Sequence, residues 1–189
     1  MRRVTLPAGR EEIARLRAGD GVLLSGVIYT ARDAAHMRFR ELLDAGKPLP
    51  IELRGAAIYY AGPSPAPPGT VTGSIGPTTS SRMDAFAPRL IRLGLLCTIG
   101  KGARSEEVIE AIKERCAVYL AAVGGAGALL AERVISSETA AFPELGAEAV
   151  RRLIVRDFPA TVAVDATGRD IYAEGRAAYL RAAADAGGR

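Results

Sequence analysis

Gly73-Ser74-Ile75-Gly76-Pro77-Thr78-Thr79-Ser80-Ser81-Arg82-Met83-Asp84 is the stretch on which the reading of this chain turns. Two glycines and a proline fix a tight turn. Four hydroxyl residues follow, then the guanidinium of Arg82. A proline-rich segment, Gly62 to Gly69, precedes it, and an apolar run with helical character, Met83 to Leu93, follows. Such a turn can aim backbone N–H groups and hydroxyls at one point, at the positive end of a helix. The same residues also suit a plain glycine-proline turn with a serine N-cap, in which the hydroxyls serve only backbone donors. The local pattern leaves both readings open.

Working outward, strand-like and helix-like runs alternate. Arg3 to Leu6 reads as a strand, Glu11 to Arg17 as one or two helical turns, and Val22 to Ile28 as a buried strand. Thr30 with Asp33 three residues on resembles a capping box, so a helix is expected from Thr30 to Ala45, with Met37, Leu42 and Leu43 facing inward and Gly46 as its stop. Gly55 to Ala61 and Thr70 to Thr72 read as strands on either side of the proline-rich loop. Met83 to Leu93 reads as a helix that Pro88 kinks or delays. Leu95 to Ile99 is a strand ending at Gly100-Lys101-Gly102. Ser105 caps the next helix, where Glu106 and Glu107 complement the dipole. Ala117 to Val123 is a strand, followed by a glycine turn and a short helix to about Val134. Beyond it, Ala147 to Arg152 reads as helical, and Ile154-Val155 and Thr161 to Val164 as strands. Ile171 to Ala173 then closes a hairpin, Arg176 to Ala184 is a last helix, and Gly187 to Arg189 fray. The alternation predicts an α/β fold with a largely parallel or mixed sheet flanked by helices. No internal repeat or linker is visible, so residues 1–189 are expected to form a single domain.

Composition narrows the functional classes. At 189 residues with 49% hydrophobic and 24% charged side chains, the chain is an ordinary globular one with enough length for a sizeable core. Arginine dominates the basic residues, and the net charge is +4. These arginines are scattered among acids without interleaved aromatics, which argues against nucleic acid as a partner. The longest uncharged stretch, Gly55 to Ser81, is full of Pro, Gly, Ser and Thr, so no membrane span is expected. The two cysteines, Cys97 and Cys116, lie in or beside apolar runs and read as buried free thiols. Met1-Arg2-Arg3 leads into Val4-Thr5-Leu6-Pro7 and then charged residues, unlike a secretory leader. Cytoplasmic location is the expectation.

Familiar motifs fail one by one. Gly94 to Gly102 lacks the hydroxyl that must follow the lysine of a Walker loop. The Gly125-Ala126-Gly127 run has Leu130 where a dinucleotide fingerprint needs its third glycine. His36 is the only histidine, and two cysteines alone cannot supply a zinc or iron–sulfur site, so no metal ligands are expected here. No nucleophile-elbow sequence supports a catalytic triad through His36. Three stretches remain, each a strand or loop that leads to a helix start and carries a cation. They are Thr30-Ala31-Arg32-Asp33-Ala34-Ala35-His36, the stretch ending in Arg82, and Gly100-Lys101-Gly102. Arg32 and His36, four apart, share a helix face. Each cation, taken alone, is also an ordinary surface residue. Three converging near hydroxyls would suit a small dicarboxylate, since Arg grips a carboxylate with two parallel hydrogen bonds and Lys adds a point charge.

These same stretches, Thr-Ala-Arg-Asp-Ala-Ala-His at 30–36, Gly-Pro-Thr-Thr-Ser-Ser-Arg-Met-Asp at 76–84 and Gly-Lys-Gly at 100–102, resemble the β subunit, or C-terminal domain, of class I fumarases. L-tartrate dehydratase β subunits belong to the same family. The likeness runs from about Leu6 to Gly175. It implies a swivelling β/β/α domain and a hydro-lyase with a 4Fe-4S cluster. The cluster's cysteine ligands would sit on an α subunit, so the chain would work as part of a hetero-oligomer. One iron of that cluster would act as a Lewis acid on the substrate hydroxyl. The resemblance further implies that Arg32, Arg82 and Lys101 hold the dicarboxylate and that Thr78 takes the carbon-bound proton. His36 and Thr79 would give neighbourhood support. Where family members often carry a basic residue after the histidine, this chain has Met37.

The first expectation is therefore reversible hydration of fumarate to (S)-malate together with an α partner. The wording of 30–36 favours fumarase over tartrate dehydratase. The alternatives are an L-tartrate dehydratase β subunit and a non-catalytic dicarboxylate-binding module.

Overall fold

Val22, Leu24, Ile28 and Thr30 point inward along β2 (Gly21–Thr30), the strand on which the sheet is hung. In the computed structural model, which describes residues 1–187, the first half of β2 pairs in parallel with β1 (Arg2–Leu6). Farther along the same edge, β2 pairs in parallel with β3 (Ala57–Tyr59). The parallel run continues through β4 (Cys97–Gly100) to β5 (Val118–Ala121). Every residue of β3 and β4 is buried, which is why these strands are short apolar runs without alternation.

A long strand, β7 (Val150–Val164), runs antiparallel to all of these. One of its edges pairs with β2; the other pairs first with β6 (Val134–Ala141) and then with β5. The seven-stranded mixed sheet, in the order β1-β2-β3-β4-β5-β7-β6 with an extra β2–β7 pairing, is thereby partly closed like a barrel. Its flanking helices are α1 (Arg10–Ile13), α2 (Asp33–Asp44), α3 (Ala87–Arg92), α4 (Glu106–Arg115), α5 (Gly127–Ala131) and α6 (Ile171–Gly187). Phe39 of α2, Leu90 and Ile91 of α3, and Val108 and Ile112 of α4 bury against the sheet. Among the described residues no helix is long and apolar enough to cross a membrane.

The expected α/β class with a mixed sheet holds, and several elements differ from expectation. β6 went unread because Ser136, Ser137, Glu138 and Thr139 give an edge strand with no apolar alternation. β7 looked like a helical piece and two strands because Arg156-Asp157 and Pro159 interrupt its pattern. The chain absorbs that interruption as a bulge, with Asp157 at φ 50° and its N–H donated to Ser25 Oγ at 3.1 Å. Residues 143–148 form a 3₁₀ turn before β7. Ile171 to Ala173 open α6 instead of pairing, because the Asp170 side chain accepts the Tyr172 N–H at 2.8 Å and starts a helix. Thr70 to Thr72 are not a strand. Of the expected frayed end, Gly188 and Arg189 lie outside the described residues.

Helix α2 starts three residues later than its capping pattern suggested. The Thr30 hydroxyl is spent on the Arg151 N–H across the β2–β7 ladder, at 3.2 Å. The orphan N–H of Ala34 goes instead to Glu148 Oε2, at 2.8 Å. Along α2, Ala35, His36 and Phe39 are buried and Met37 is exposed. Pro88 does delay its helix: a 3₁₀ turn covers Ser80–Met83 and α3 begins only at Ala87. Ser105 stands at the N-cap of α4, but its side chain makes no capping bond.

Candidate active site at the carboxyl ends of the parallel strands

Ligands of open α/β sheets bind outside the carboxyl ends of the parallel strands. Here those ends bring together the three cation-bearing stretches. β2 runs into Arg32, β3 runs through Tyr60 to Gly62, and β4 runs into Lys101. The stretch 75–80 is laced across them. Ile75 N–H donates to the Gly127 carbonyl (3.0 Å), Thr78 N–H to Tyr60 (2.7 Å) and Ser80 N–H to Lys101 (2.9 Å). Lys101 N–H in turn donates to the Thr78 carbonyl at 3.3 Å. Tyr59, buried beneath, donates its hydroxyl to the Ile75 carbonyl at 2.6 Å. Glycine is needed at two points of this lacing. A Cβ on Gly100 would run into the Ser80 side chain, and one on Gly127 would stand 2.8 Å from the Gly76 nitrogen.

This lacing revises what the turn offers. The N–H groups of Thr78 and Ser80 are consumed by backbone carbonyls, and the Ser80 hydroxyl is buried on the Tyr119 hydroxyl at 2.9 Å. Only a four-residue 3₁₀ turn follows, so no long helix dipole points at the loop. Thr78 is half-buried and Thr79 exposed. Among the described residues neither of these hydroxyls makes a hydrogen bond, so both are available to a ligand.

Arg32 and Arg82 meet at one carboxylate. Arg82 Nε lies 2.8 Å from Asp33 Oδ1, and Arg32 Nε lies 3.5 Å from Asp33 Oδ2. Arg32 also pairs through Nη2 with Glu148 Oε1 at 3.3 Å. A Cβ on Gly62 would come within 3.3 Å of the Arg32 stem and 2.7 Å of the Ala147 carbonyl. The absence of a side chain there makes room for both. Lys101 is exposed, its stem and Nζ lying over Gly124, with no acidic partner among the described residues.

His36 sits behind this cluster, fully buried among the rings of Phe39, Tyr60 and Phe86. Its Nδ1 is 3.0 Å from the Arg32 carbonyl. A carbonyl only accepts, so Nδ1 carries the proton and donates. Nε2 has no partner among the described residues. Burial pushes its pKa down to about 4, with only partial relief from the Arg32 carbonyl. His36 is therefore a neutral prop under the Arg32 backbone, not a proton donor near pH 7.

Four residues of the neighbourhood bear no signature in the sequence that marks them as part of a site. Asp33 was read only as a cap. Glu148 lies 114 residues from Ala34, whose N–H it accepts, and no sequence signal links them. Asp84 and Arg104 form a buried pair at 2.7 Å, and the guanidinium also contacts the Thr98 hydroxyl and the rings of Tyr60 and Tyr119. Asp84 accepts the Ser105 N–H at 2.7 Å as well, fastening the end of the 73–84 stretch to the start of α4.

No set of iron ligands accompanies these cations. Among the described residues no group of three His, Cys, Asp or Glu side chains is placed to hold a metal ion. Cys97 is buried within β4, and burial pushes its thiol up to about 12; Cys116 is a half-buried free thiol at the end of α4. The described residues do not fit a cluster.

Comparison with known proteins places the chain among relatives. A family model described as Fumarase C-terminus matches residues 1–175. "Fumarate hydratase 2" of Leishmania major is 42% identical over 167 residues, which are 87% of this chain and 29% of that protein. "Fumarate hydratase class I, anaerobic" of Escherichia coli is 43% identical over 151 residues, 79% of this chain and 28% of that protein. The chain thus spans under a third of the length of these relatives. A Methanocaldococcus jannaschii protein named "Putative L(+)-tartrate dehydratase subunit beta" is 41% identical over 171 residues, 87% of this chain and 88% of that protein.

Proposed function

The chain belongs to the fumarase C-terminus family, and from that premise we propose that it is the β-type part of a class I hydro-lyase that reversibly hydrates fumarate to (S)-malate. The observation that carries the reading is the meeting of Arg32 and Arg82 at one carboxylate, with Arg82 on the same stretch as Thr78 and Thr79. A carboxylate between two guanidiniums is the arrangement that a substrate carboxylate also seeks. Lys101, unpaired among the described residues, supplies a third positive charge across the loop for a second carboxylate.

Arg32, Arg82 and Lys101 bind and orient the dicarboxylate in this proposal, which places its carbon chain over Thr78. The Thr78 hydroxyl stands where the carbon-bound proton leaves or arrives. His36 holds the Arg32 carbonyl from beneath, and Thr79 lines the rim. A 4Fe-4S cluster belongs to a partner α subunit, consistent with the poor ligand set here, and the working protein is a hetero-oligomer. Residues 1–189 act as one domain of it. The two free thiols suit a reducing compartment such as the cytoplasm.

Co-expression with a cluster-bearing partner tests this. The chain alone carries no iron and no hydratase activity, whereas the anaerobically reconstituted complex turns over malate. Arg82→Ala in that complex lowers kcat/KM by roughly a hundredfold or more, the scale of a lost bidentate charged contact, with thermal unfolding unchanged. Near-normal kinetics would remove Arg82 from the site. The relative that this chain covers almost end to end bears a tartrate dehydratase name, so L-tartrate belongs in the substrate panel. Turnover of tartrate in place of malate would transfer the proposal to that alternative.

A further inference from the structure

We infer that Asp33 is a positioning residue whose carboxylate holds the Arg32 and Arg82 guanidiniums side by side as a pair of carboxylate-binding forks. The inference rests on the dicarboxylate reading above. Two guanidiniums this close repel each other, and something must hold them together before an anionic ligand arrives. Arg32 has two anchors, Asp33 and Glu148, and its side chain is 27% exposed. Arg82 is different. Its side chain is 51% exposed, and Asp33 is its only ion-pair partner among the described residues. Without that carboxylate nothing sets where the Arg82 fork points.

The contact geometry distinguishes a brace from a rival anion. Asp33 meets Arg82 at Nε, on the flank of the guanidinium, with Oδ1 at 2.8 Å. The Nη1 and Nη2 edge, which binds a carboxylate with two parallel bonds, has no partner among the described residues. Asp33 is also the first residue of α2, where the helix terminus favours its negative charge. Glu148 holds both the Ala34 N–H and Arg32, which fixes that first turn. The backbone that carries Asp33 is thus anchored at the start of α2. Its Oδ2 and the facing Arg32 Nε are buried and make no hydrogen bond, so their 3.5 Å contact is an ion pair alone; together with the 2.8 Å contact to Arg82 it makes Asp33 the one carboxylate, among the described residues, that both cations touch.

The test uses the assembled complex carrying Asp33→Ala or the near-isosteric Asp33→Asn. KM for malate rises by roughly tenfold or more in Asp33→Ala while kcat stays within about threefold, the signature of lost binding rather than lost chemistry. Asp33→Asn, which keeps an acceptor oxygen without the charge, falls between Asp33→Ala and the wild type, and it carries the test if Asp33→Ala does not fold. A second readout needs no substrate. In nitrogen-15 spectra of the full chain, the Arg82 Nε resonance shifts between the wild type and Asp33→Asn, because the charge 2.8 Å from that nitrogen is lost. A fall in KM would show that the carboxylate competes with substrate, and an unchanged KM would show no role; either overturns the inference, as does an unmoved Arg82 resonance. If the wild-type complex hydrates no dicarboxylic acid, the hydro-lyase reading fails by itself, and the spectra then decide the brace.

Discussion

His36 shows how one side chain ties the site to stability. Its ring is neutral in the fold, with a pKa lowered to about 4 by burial. The unfolded chain binds that proton near pH 6.5, so the unfolded state gains protons first as the pH falls. Stability is therefore full above about pH 6.5 and declines toward pH 4, by a total on the order of 3 kcal/mol. His36 is the only histidine, so a slope between about pH 6.5 and 5, where few carboxylates titrate, belongs to it. Urea midpoints measured across that range decline in the wild type and stay flat in His36→Gln; equal slopes would mean that the ring is wetter than its surroundings indicate. The residue scale is also where the sequence spoke most clearly. Arg32, Arg82 and Lys101 stand out in the sequence because each sits where a strand or loop leads toward a helix, and the fold brings Arg32 and Arg82 to one carboxylate. Their counter-charges were not. Asp33 looks like any first-turn acid, and Glu148 is brought to Ala34 only by the return of the chain through β7.

At the level of elements, α4 ends on a residue under backbone strain. Cys116 adopts φ 53° and ψ 43° at the C-cap, a left-handed conformation that costs most side chains energy and costs glycine little. Cys116→Gly is expected to stabilise the protein by about 1 kcal/mol, raising Tm by a few degrees in a thermal melt. The same variant leaves the iron content of the assembled complex unchanged, since the thiol is not a cluster ligand in the proposed arrangement. Legibility among elements followed burial. β3, β4 and β5 are buried on nearly all positions and read plainly as apolar runs. β6 is polar on both faces, and β7 hides a bulge behind Arg156-Asp157, so periodicity carried no sign of either. Helix α2 is legible as a helix, and of its expected inner face Leu43 packs against the core and Leu42 is half-buried, while Met37 is exposed and Ala35, His36 and Phe39 take the buried positions.

For the whole molecule, the decisive feature is that one antiparallel strand lies against both β2 and β5. Without it those two strands would present bare edges, the usual template for unwanted pairing. A chain ended after Ala149 keeps all five parallel strands β1 to β5 yet is expected to be insoluble, whereas the full chain is recovered in the supernatant after expression. Soluble recovery of the shortened chain would show that the parallel strands stand alone. The timing of synthesis gives this arrangement a further meaning. A ribosome releases every part of the cationic pocket well before it releases the closing strand, and Glu148 emerges just ahead of that strand. Until residue 148 emerges, then, Arg32 waits without one of its two counter-charges, and the pocket settles only when β7 arrives.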